Sequence, residues 1–202
     1  MSGLTLKNFS TPLLDPFDLE LAPGECITLN GPSGSGKSRL LRAIADLDSH
    51  GGEAWCDDTE QTDVPGPAWR GRVGLLPAES AWWGERVREH FHRFDLSLMQ
   101  RLELPGECGD WPVSRLSSGE RQRLALLRLL AATPEVLLLD EPTANLDRSN
   151  IERVEALILE WCRERRCAAL WVSHDPAQQQ RVALRHLRIK QRRLVRISHA
   201  DR

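Results

Sequence analysis

The chain has 202 residues, of which 41% are hydrophobic and 28% are charged, as in a globular protein with one sizeable core. Its formal net charge of −2 gives no electrostatic reason to expect a nucleic-acid partner. The five cysteines form no CxxC pair, and no signal peptide or run of about 20 apolar residues is visible. We therefore expect free thiols in a reducing compartment, and no membrane span within this sequence.

Apolar runs and helical patterns alternate along most of the chain. Strands are predicted at 25–29, 135–139 and 168–173, and the last two are continuous apolar runs, typical of strands buried on both faces. A glycine-rich loop and a helix over 38–47 follow the first strand. The alternation predicts an α/β fold with a largely parallel sheet.

Residues 77–115 interrupt this rhythm, because they are rich in proline, glycine, tryptophan and charge. Helical patterns occur at 87–94 and 95–104. We interpret 77–115 as a small helical subdomain of a single-domain chain, inserted between 1–76 and 116–202 of the sheet core.

The C-terminal third predicts one long helix and one hairpin. Residues 150–164 have one apolar helical face, and Ser149 and Glu152 could form a capping box at its start. The basic segment 185–198 could offer a phosphate-binding surface, but its alternation favours a terminal β-hairpin with solvated arginines.

The segment GPSGSGKS fits the pattern G-x-x-x-x-G-K-[ST] without a mismatch and lies between a predicted strand and helix, as the motif requires. Its glycines let successive N–H groups face one anion, and the helix dipole adds positive potential. Lys37 is expected to contact the β- and γ-phosphates, and the Ser38 hydroxyl to bind Mg²⁺. The predicted phosphate-binding residues are Gly31, Pro32, Ser33, Gly34, Ser35, Gly36, Lys37, Ser38 and Arg39.

Acidic residues and a histidine follow the two buried strands, at the sheet edge where open α/β sheets bind ligands. Asp140 could hold Mg²⁺ through water, and Glu141 could act as the general base that polarises an attacking water. The alternative is that two acids merely end a strand. A lone histidine is usually structural, but His174 beside Asp140 becomes a candidate contact for the γ-phosphate.

A second anion-compatible helix start lies far from the first. The polar segment LSSGE leads directly into the apolar helix RQRLALLRLLAA, so its N–H groups face outward from a helix N-terminus. One nucleotide site would not need two such starts on the same chain.

The four motifs GPSGSGKS, LSSGERQR, VLLLDEPTANLD and WVSHD, in this order, resemble the ATP-binding cassette of ABC transporters. The resemblance covers nearly the whole chain and implies a RecA-like P-loop ATPase core, with ATP and Mg²⁺ as cofactors. It also implies a head-to-tail homodimer, in which the LSSGE segment of one copy caps the γ-phosphate bound to the other. The residues implied at that interface are Ser117, Ser118, Gly119, Glu120 and Asp147, with His174 as the switch histidine.

The resemblance further implies where the protein works. It predicts a peripheral ATPase on the cytoplasmic face of the cell membrane, bound to separately encoded integral membrane permease subunits. The short chain and the segments WWGERV and ALWVSHD are similar to the small ATPases of bacterial iron-export systems. The alternatives are a P-loop small-molecule kinase and a soluble ABC ATPase that is not part of a transporter.

The sequence departs from the family pattern in three places. Ser118 and Glu120 replace the usual glycine and glutamine of the signature, and the chain has no tyrosine to stack on adenine. Ala78 stands where the family has a magnesium-contacting glutamine. Either Glu79 takes over through a shifted loop, or water fills the position and coupling runs through packing.

Two adjacent tryptophans follow this altered segment. Trp82 and Trp83 could form an interface with the membrane subunit, where aromatic residues are enriched, or pack inside the helical subdomain. The sequence leaves both interpretations open.

Overall fold

The computed structural model describes residues 3–197. Residues 1–2 and 198–202 lie outside the described part. They include Ser198 of the predicted hairpin and both ends of the predicted single domain over 1–202. The described residues form two sheets flanked by helices, so the α/β prediction is confirmed. No helix among them is long and apolar enough to cross a membrane.

The smaller sheet is antiparallel and has the strand order β2-β1-β4-β5. Leu4 and Leu6 alternate along the first strand, Phe9 follows after a register shift, and all three are fully buried, so one face of this sheet packs on the core. Its strands are β1 (Leu4–Thr11), β2 (Leu14–Leu21), β4 (Gly51–Cys56) and β5 (Thr59–Glu60).

The larger sheet carries the predicted site and has the order β10-β9-β3-β8-β7-β6. All neighbouring pairs are parallel except the terminal hairpin of β9 and β10, which confirms the hairpin prediction over the described residues. Its strands are β3 (Cys26–Asn30), β6 (Val73–Leu76), β7 (Val136–Asp140), β8 (Ala168–Val172), β9 (Arg185–Lys190) and β10 (Arg193–Ile197).

Residues 136–139 of β7 and all of β8 are apolar because these strands separate two hydrophobic cores. Leu138 and Leu170 point into a core shared with the smaller sheet, whereas Leu139 and Trp171 point into a second core on the opposite face. Side chains alternate across a strand, so a strand covered on both faces needs an apolar residue at every position.

Helices cover both faces of the larger sheet. The prediction that Ser149 and Glu152 form a capping box at the start of the long helix is wrong. Asp147 is the N-cap, because its carboxylate accepts the Asn150 N–H at 2.9 Å, and Glu152 pairs with Arg148 instead. The helices outside residues 77–115 are α1 (Lys37–Ile44), α2 (Gly66–Arg72), α4 (Ser118–Ala131), α5 (Arg148–Arg165) and α6 (Pro176–Val182).

Residues 77–115 contain one α-helix, α3 (Leu96–Arg101), and three short 3-10 segments. The helix predicted over 87–94 is wrong beyond His90, because only Val87–His90 forms a 3-10 turn. The chain extends at Phe91, whose ring packs 4.5 Å from Phe94 at the edge of the second core. The extended backbone at Phe91 therefore ends the helical pattern of 87–94 after a single turn.

Candidate functional site

Residues 31–36 of the GPSGSGKS segment form a loop between β3 and α1, and Lys37 and Ser38 begin α1, as the sequence predicts. Gly34 and Gly36 have φ angles of 76° and 103°, a region that glycine enters without steric cost. The Lys37 ammonium donates to the carbonyls of Gly31 and Pro32 at 2.9 and 3.1 Å, which holds it against the loop. The loop is therefore arranged around a cation that an anionic ligand can share.

The acids after β7 lie next to this loop. Asp140 is the last residue of the strand and is 6% exposed, and Glu141 follows it with a φ of 50°. Burial lowers the pKa of the Lys37 ammonium, and the Glu141 and Asp140 carboxylates act in the opposite direction. The strand end thus places two carboxylates within electrostatic reach of the loop lysine.

His174 follows β8, the strand beside β7, and completes the group. Its Nε2 lies 3.2 Å from Oε1 of Glu141, and both side chains are partly exposed. A cavity of about 320 Å³ brings the loop and these two side chains together. It is lined by Leu13, Ser33, Gly34, Gly36, Lys37, Ser38, Arg39, Glu141 and His174.

The cavity wall that comes from the smaller sheet is aliphatic. Leu13, in the turn between β1 and β2, lies against Gly36, and a Cβ at Gly36 would meet the Leu13 Cβ at 3.0 Å. The Arg192 side chain fixes this turn by donating to Pro12 and Asp15. Leu13 therefore lines the cavity beside the P-loop, and the chain has no tyrosine that could stack on adenine there.

The LSSGE segment lies outside this cavity and begins α4. Ser117 is the N-cap: its hydroxyl accepts the Glu120 N–H at 3.2 Å, and its N–H donates to the Glu120 carboxylate at 2.8 Å. The hydroxyl also donates to that carboxylate at 2.8 Å. These bonds, above all that from the Ser117 N–H, hold the pKa of the Glu120 carboxyl below its ordinary value.

The loop that carries Asp147 packs against this signature segment. A Cβ at Gly119 would meet Leu146 Cδ2 at 3.2 Å and the Asn145 carbonyl at 3.5 Å. The Asp147 carboxylate is engaged by its own helix, with Asn150 and Ser149 as donors. The structure therefore brings the two predicted interface segments together, and neither of them lines the P-loop cavity.

Trp82 and Trp83, which the sequence allowed either to pack inside the subdomain or to form an interface, differ in exposure. Trp82 is partly buried against the second core, whereas Trp83 is 72% exposed. The Arg128 guanidinium lies 4.8 Å from the ring centre of Trp82 and 5.1 Å from that of Trp83. The His90 Nε2 accepts the backbone N–H of Trp83 at 2.9 Å. Trp82 packs inside the molecule and Trp83 is presented to solvent.

Sequence reasoning missed a buried polar network behind the cavity. Gln178 and Gln179 of α6 are 5% and 7% exposed and bond to the residues that flank the strand ends. Their segment, PAQQQRVA, is typical of a solvated helix, so no sequence signal singled them out.

Comparisons with known proteins agree with this geometry. Residues 14–144 match the family model described as ABC transporter. The chain is 34% identical to the aliphatic sulfonates import ATP-binding protein SsuB of Granulibacter bethesdensis, over 96% of this chain and 82% of that protein. It is 33% identical to the probable iron export ATP-binding protein FetA of Escherichia coli, over 81% of this chain and 78% of that protein.

A solved structure has the same fold. A dimeric ATP-binding cassette, MJ0796, in a post-hydrolysis state bound to ADP and Pi, superposes with a TM-score of 0.83 at 23% identity, covering 96% of this chain and 99% of that chain. The family match, the curated relatives and the P-loop geometry support one conclusion. The chain belongs to the ABC transporter family, as an ATP-binding domain that hydrolyses ATP.

Proposed function

We propose that this chain is the energy-coupling subunit of a transporter, in which two copies pair head to tail around two ATP molecules. One observation carries the proposal: Glu141 and His174 line the P-loop cavity, whereas no residue of the Ser117–Glu120 segment lines it. A second helix start that does not line the cavity of its own chain supports a role at the cavity of a second copy.

In this arrangement each residue has a defined task. The Lys37 ammonium and the N–H groups of the loop bind the β- and γ-phosphates. The Glu141 carboxylate orients an attacking water and accepts its proton, and His174, 3.2 Å away, holds the carboxylate toward the γ-phosphate. The partner's Ser117 hydroxyl closes the opposite side of the phosphate.

The chain also offers ligands that suit Mg²⁺. Ser38 is exposed at the cavity, and Asp140 at the end of β7 lies within electrostatic reach of Lys37. Hydroxyl and carboxylate oxygens are the hard donors that Mg²⁺ prefers beside substrate phosphates. When bound, Mg²⁺ supplies neutralisation of the phosphate charge.

Binding of ATP would drive closure because the γ-phosphate contacts both copies only in the paired state. A ligand shifts a conformational equilibrium by its differential affinity for the two states, and hydrolysis removes that difference. Pairing and separation of the two copies are therefore the mechanical output of the cycle.

The surface near Trp83 suits the membrane permease subunit, which would hold the ATPase at the cytoplasmic face of the membrane. A groove of about 400 Å³ runs beside Arg128, which stacks on both tryptophans. Its walls combine Leu47, Leu75 and Pro77 with Arg42 and Arg70. An exposed aromatic beside an apolar groove with a cationic rim is typical of protein interfaces.

Relatives of similar identity are named for sulfonate import and for iron export, so their names favour no single cargo. The short segments WWGERV and ALWVSHD support iron export as the narrower proposal. The described residues contain no cluster of metal-ligating side chains, so recognition of any metal cargo would fall to the permease.

The decisive test is Glu141→Gln, which keeps the shape of the side chain but removes its basicity. We expect loss of steady-state ATP hydrolysis and an ATP-dependent dimer on gel filtration. Glu164→Gln is the control, because it neutralises an exposed carboxylate of α5 that does not line the P-loop cavity. Parental hydrolysis by Glu141→Gln would refute the assigned base. Co-purification with a membrane protein from detergent extract separates a transporter subunit from a soluble ABC ATPase.

A further inference from the structure

Helix α6 buries two adjacent glutamines although its third glutamine, Gln180, is exposed. A primary amide is costly to bury unless its donors and acceptor are satisfied. Each of the two buried amides bonds to residues at the carboxyl ends of neighbouring strands. The P-loop, Glu141 and His174 follow these same strand ends.

Gln178 links the loops that follow β7 and β8. Its Oε1 accepts the Ser173 hydroxyl at 2.7 Å, and its Nε2 donates to the Thr143 Oγ1 at 2.8 Å. Thr143 is two residues beyond Glu141, and Ser173 immediately precedes His174. One side chain therefore ties together the two segments that bring Glu141 and His174 to 3.2 Å.

Gln179 extends this link to the P-loop strand. Its Nε2 donates to the Ser173 carbonyl at 2.7 Å, and its Oε1 accepts the Asn30 amide at 3.0 Å. Asn30 is the last residue of β3 and immediately precedes Gly31. The glutamine pair thus connects the ends of β3, β7 and β8, three adjacent strands of the larger sheet.

An ion pair between Glu155 of α5 and Arg181 of α6 anchors the network. The Glu155 carboxylate, 6% exposed, accepts the Gln178 Nε2 at 2.9 Å and two N–H groups of Arg181 at 2.7 and 2.9 Å. A buried carboxylate with three charge-assisted bonds is held firmly in place. Gln178 is therefore fixed to α5 as well as to the two loops.

Glu141 needs such support because its backbone is in the left-handed region, where a residue with a Cβ is strained. We propose that Gln178 and Gln179 are positioning residues, which hold Glu141, His174 and the P-loop at the separation that ATP hydrolysis requires. The proposal rests on the proposed function, in which Glu141 is the general base. A misplacement of about 1 Å can lower a catalytic rate about 100-fold.

The test compares Gln178→Met with Gln180→Met, a matched change on the solvent side of the same helix. Methionine keeps the length of the side chain but cannot make the amide hydrogen bonds. For Gln178→Met we expect kcat for ATP to fall about tenfold or more, with KM changed by less than about threefold. For Gln180→Met both constants should stay at parental values. Circular dichroism at the assay temperature establishes that each variant is folded.

A second readout does not depend on catalysis. Amide hydrogen exchange at Glu141, whose N–H donates to the Val172 carbonyl at 3.2 Å, should accelerate in Gln178→Met and not in Gln180→Met. If the methionine variant fails to fold, Ser173→Ala takes its place; it removes the hydroxyl that donates to Gln178 and that also accepts the Asp175 N–H at 3.1 Å. A parental kcat in the folded Gln178 or Ser173 variant overturns the positioning role, whatever the exchange shows.

The two proposals fail in different ways. If the parental chain and Glu141→Gln hydrolyse ATP equally, the assignment of Glu141 as general base is wrong. If Glu141→Gln abolishes hydrolysis but Gln178→Met retains full kcat, the catalytic assignment survives and the positioning role is refuted.

Discussion

Replacing Ser117 by alanine should weaken the start of α4 by an amount that the capping geometry predicts. The substitution removes the hydroxyl that accepts the Glu120 N–H at 3.2 Å and donates to the Glu120 carboxylate at 2.8 Å. It retains the backbone N–H of residue 117, which also donates to that carboxylate. One arm of a reciprocal capping box is lost and the other remains.

Loss of an N-cap serine typically costs about 0.5–2 kcal/mol of folding free energy. Because Ser117 is exposed and the second arm of the box remains, we expect about 1 kcal/mol at neutral pH. The folded-state pKa of Glu120 lies below its unfolded value, so ionisation contributes stability above the unfolded pKa. That contribution disappears as the pH falls through the lower folded-state pKa, so the cost of the substitution should shrink on acidification.

Urea denaturation of the parent and Ser117→Ala, at neutral pH and at several lower pH values, measures this difference. Ser118→Ala, a change at the adjacent exposed serine, serves as the control and should shift the free energy of unfolding by less than about 0.5 kcal/mol. A loss below about 0.3 kcal/mol for Ser117→Ala, or a loss that grows toward acid, would refute the reasoning from the capping box.

Three further predictions concern the scaffold. Gly52→Ala, at a φ of 77° and with its new Cβ against the backbone of the neighbouring strand, should cost about 2 kcal/mol or more in urea denaturation. Gly71→Ala, in the last turn of α2 where a new Cβ meets no atom, should instead stabilise by up to about 0.5 kcal/mol. Leu138→Ala, in the fully buried centre of β7, should cost about 3–5 kcal/mol, against less than about 0.5 kcal/mol for Leu184→Ala, where the side chain is 97% exposed. His90→Ala should accelerate hydrogen exchange of the two loop amides that donate to its Nε2 at 2.9 Å; unchanged exchange would show that the ring does not hold the loop.

Features encoded within short contiguous segments were predicted well. The P-loop is recognisable because a strand, glycines at left-handed positions and a helix start are consecutive in the chain. The strand ending at Asp140 is recognisable because burial on both faces requires a continuous apolar run. In both cases the backbone chemistry of neighbouring residues determines the local structure.

Predictions failed where two local patterns were equally good. Ser149 with Glu152 and Asp147 with Asn150 are both acceptable helix starts, since either carries an oxygen that can accept an early N–H. The structure chooses Asp147, on the loop that packs against the signature segment. The sequence contains both options and no local signal that separates them.

The sequence by itself determined which residues can bind phosphate, end a buried strand or begin a helix, because those properties depend on a few consecutive residues. Only the tertiary structure decided that Leu13 lines the P-loop cavity, and that two ordinary-looking glutamines join Asn30, Thr143 and Ser173. Asn30 is more than 100 positions away from Thr143 and Ser173 in the sequence. The parallel strands β3, β8 and β7 are neighbours in the sheet, which brings their carboxyl ends to one edge. A contact between distant segments has no sequence signature of its own, since it depends on how the strands between them pair.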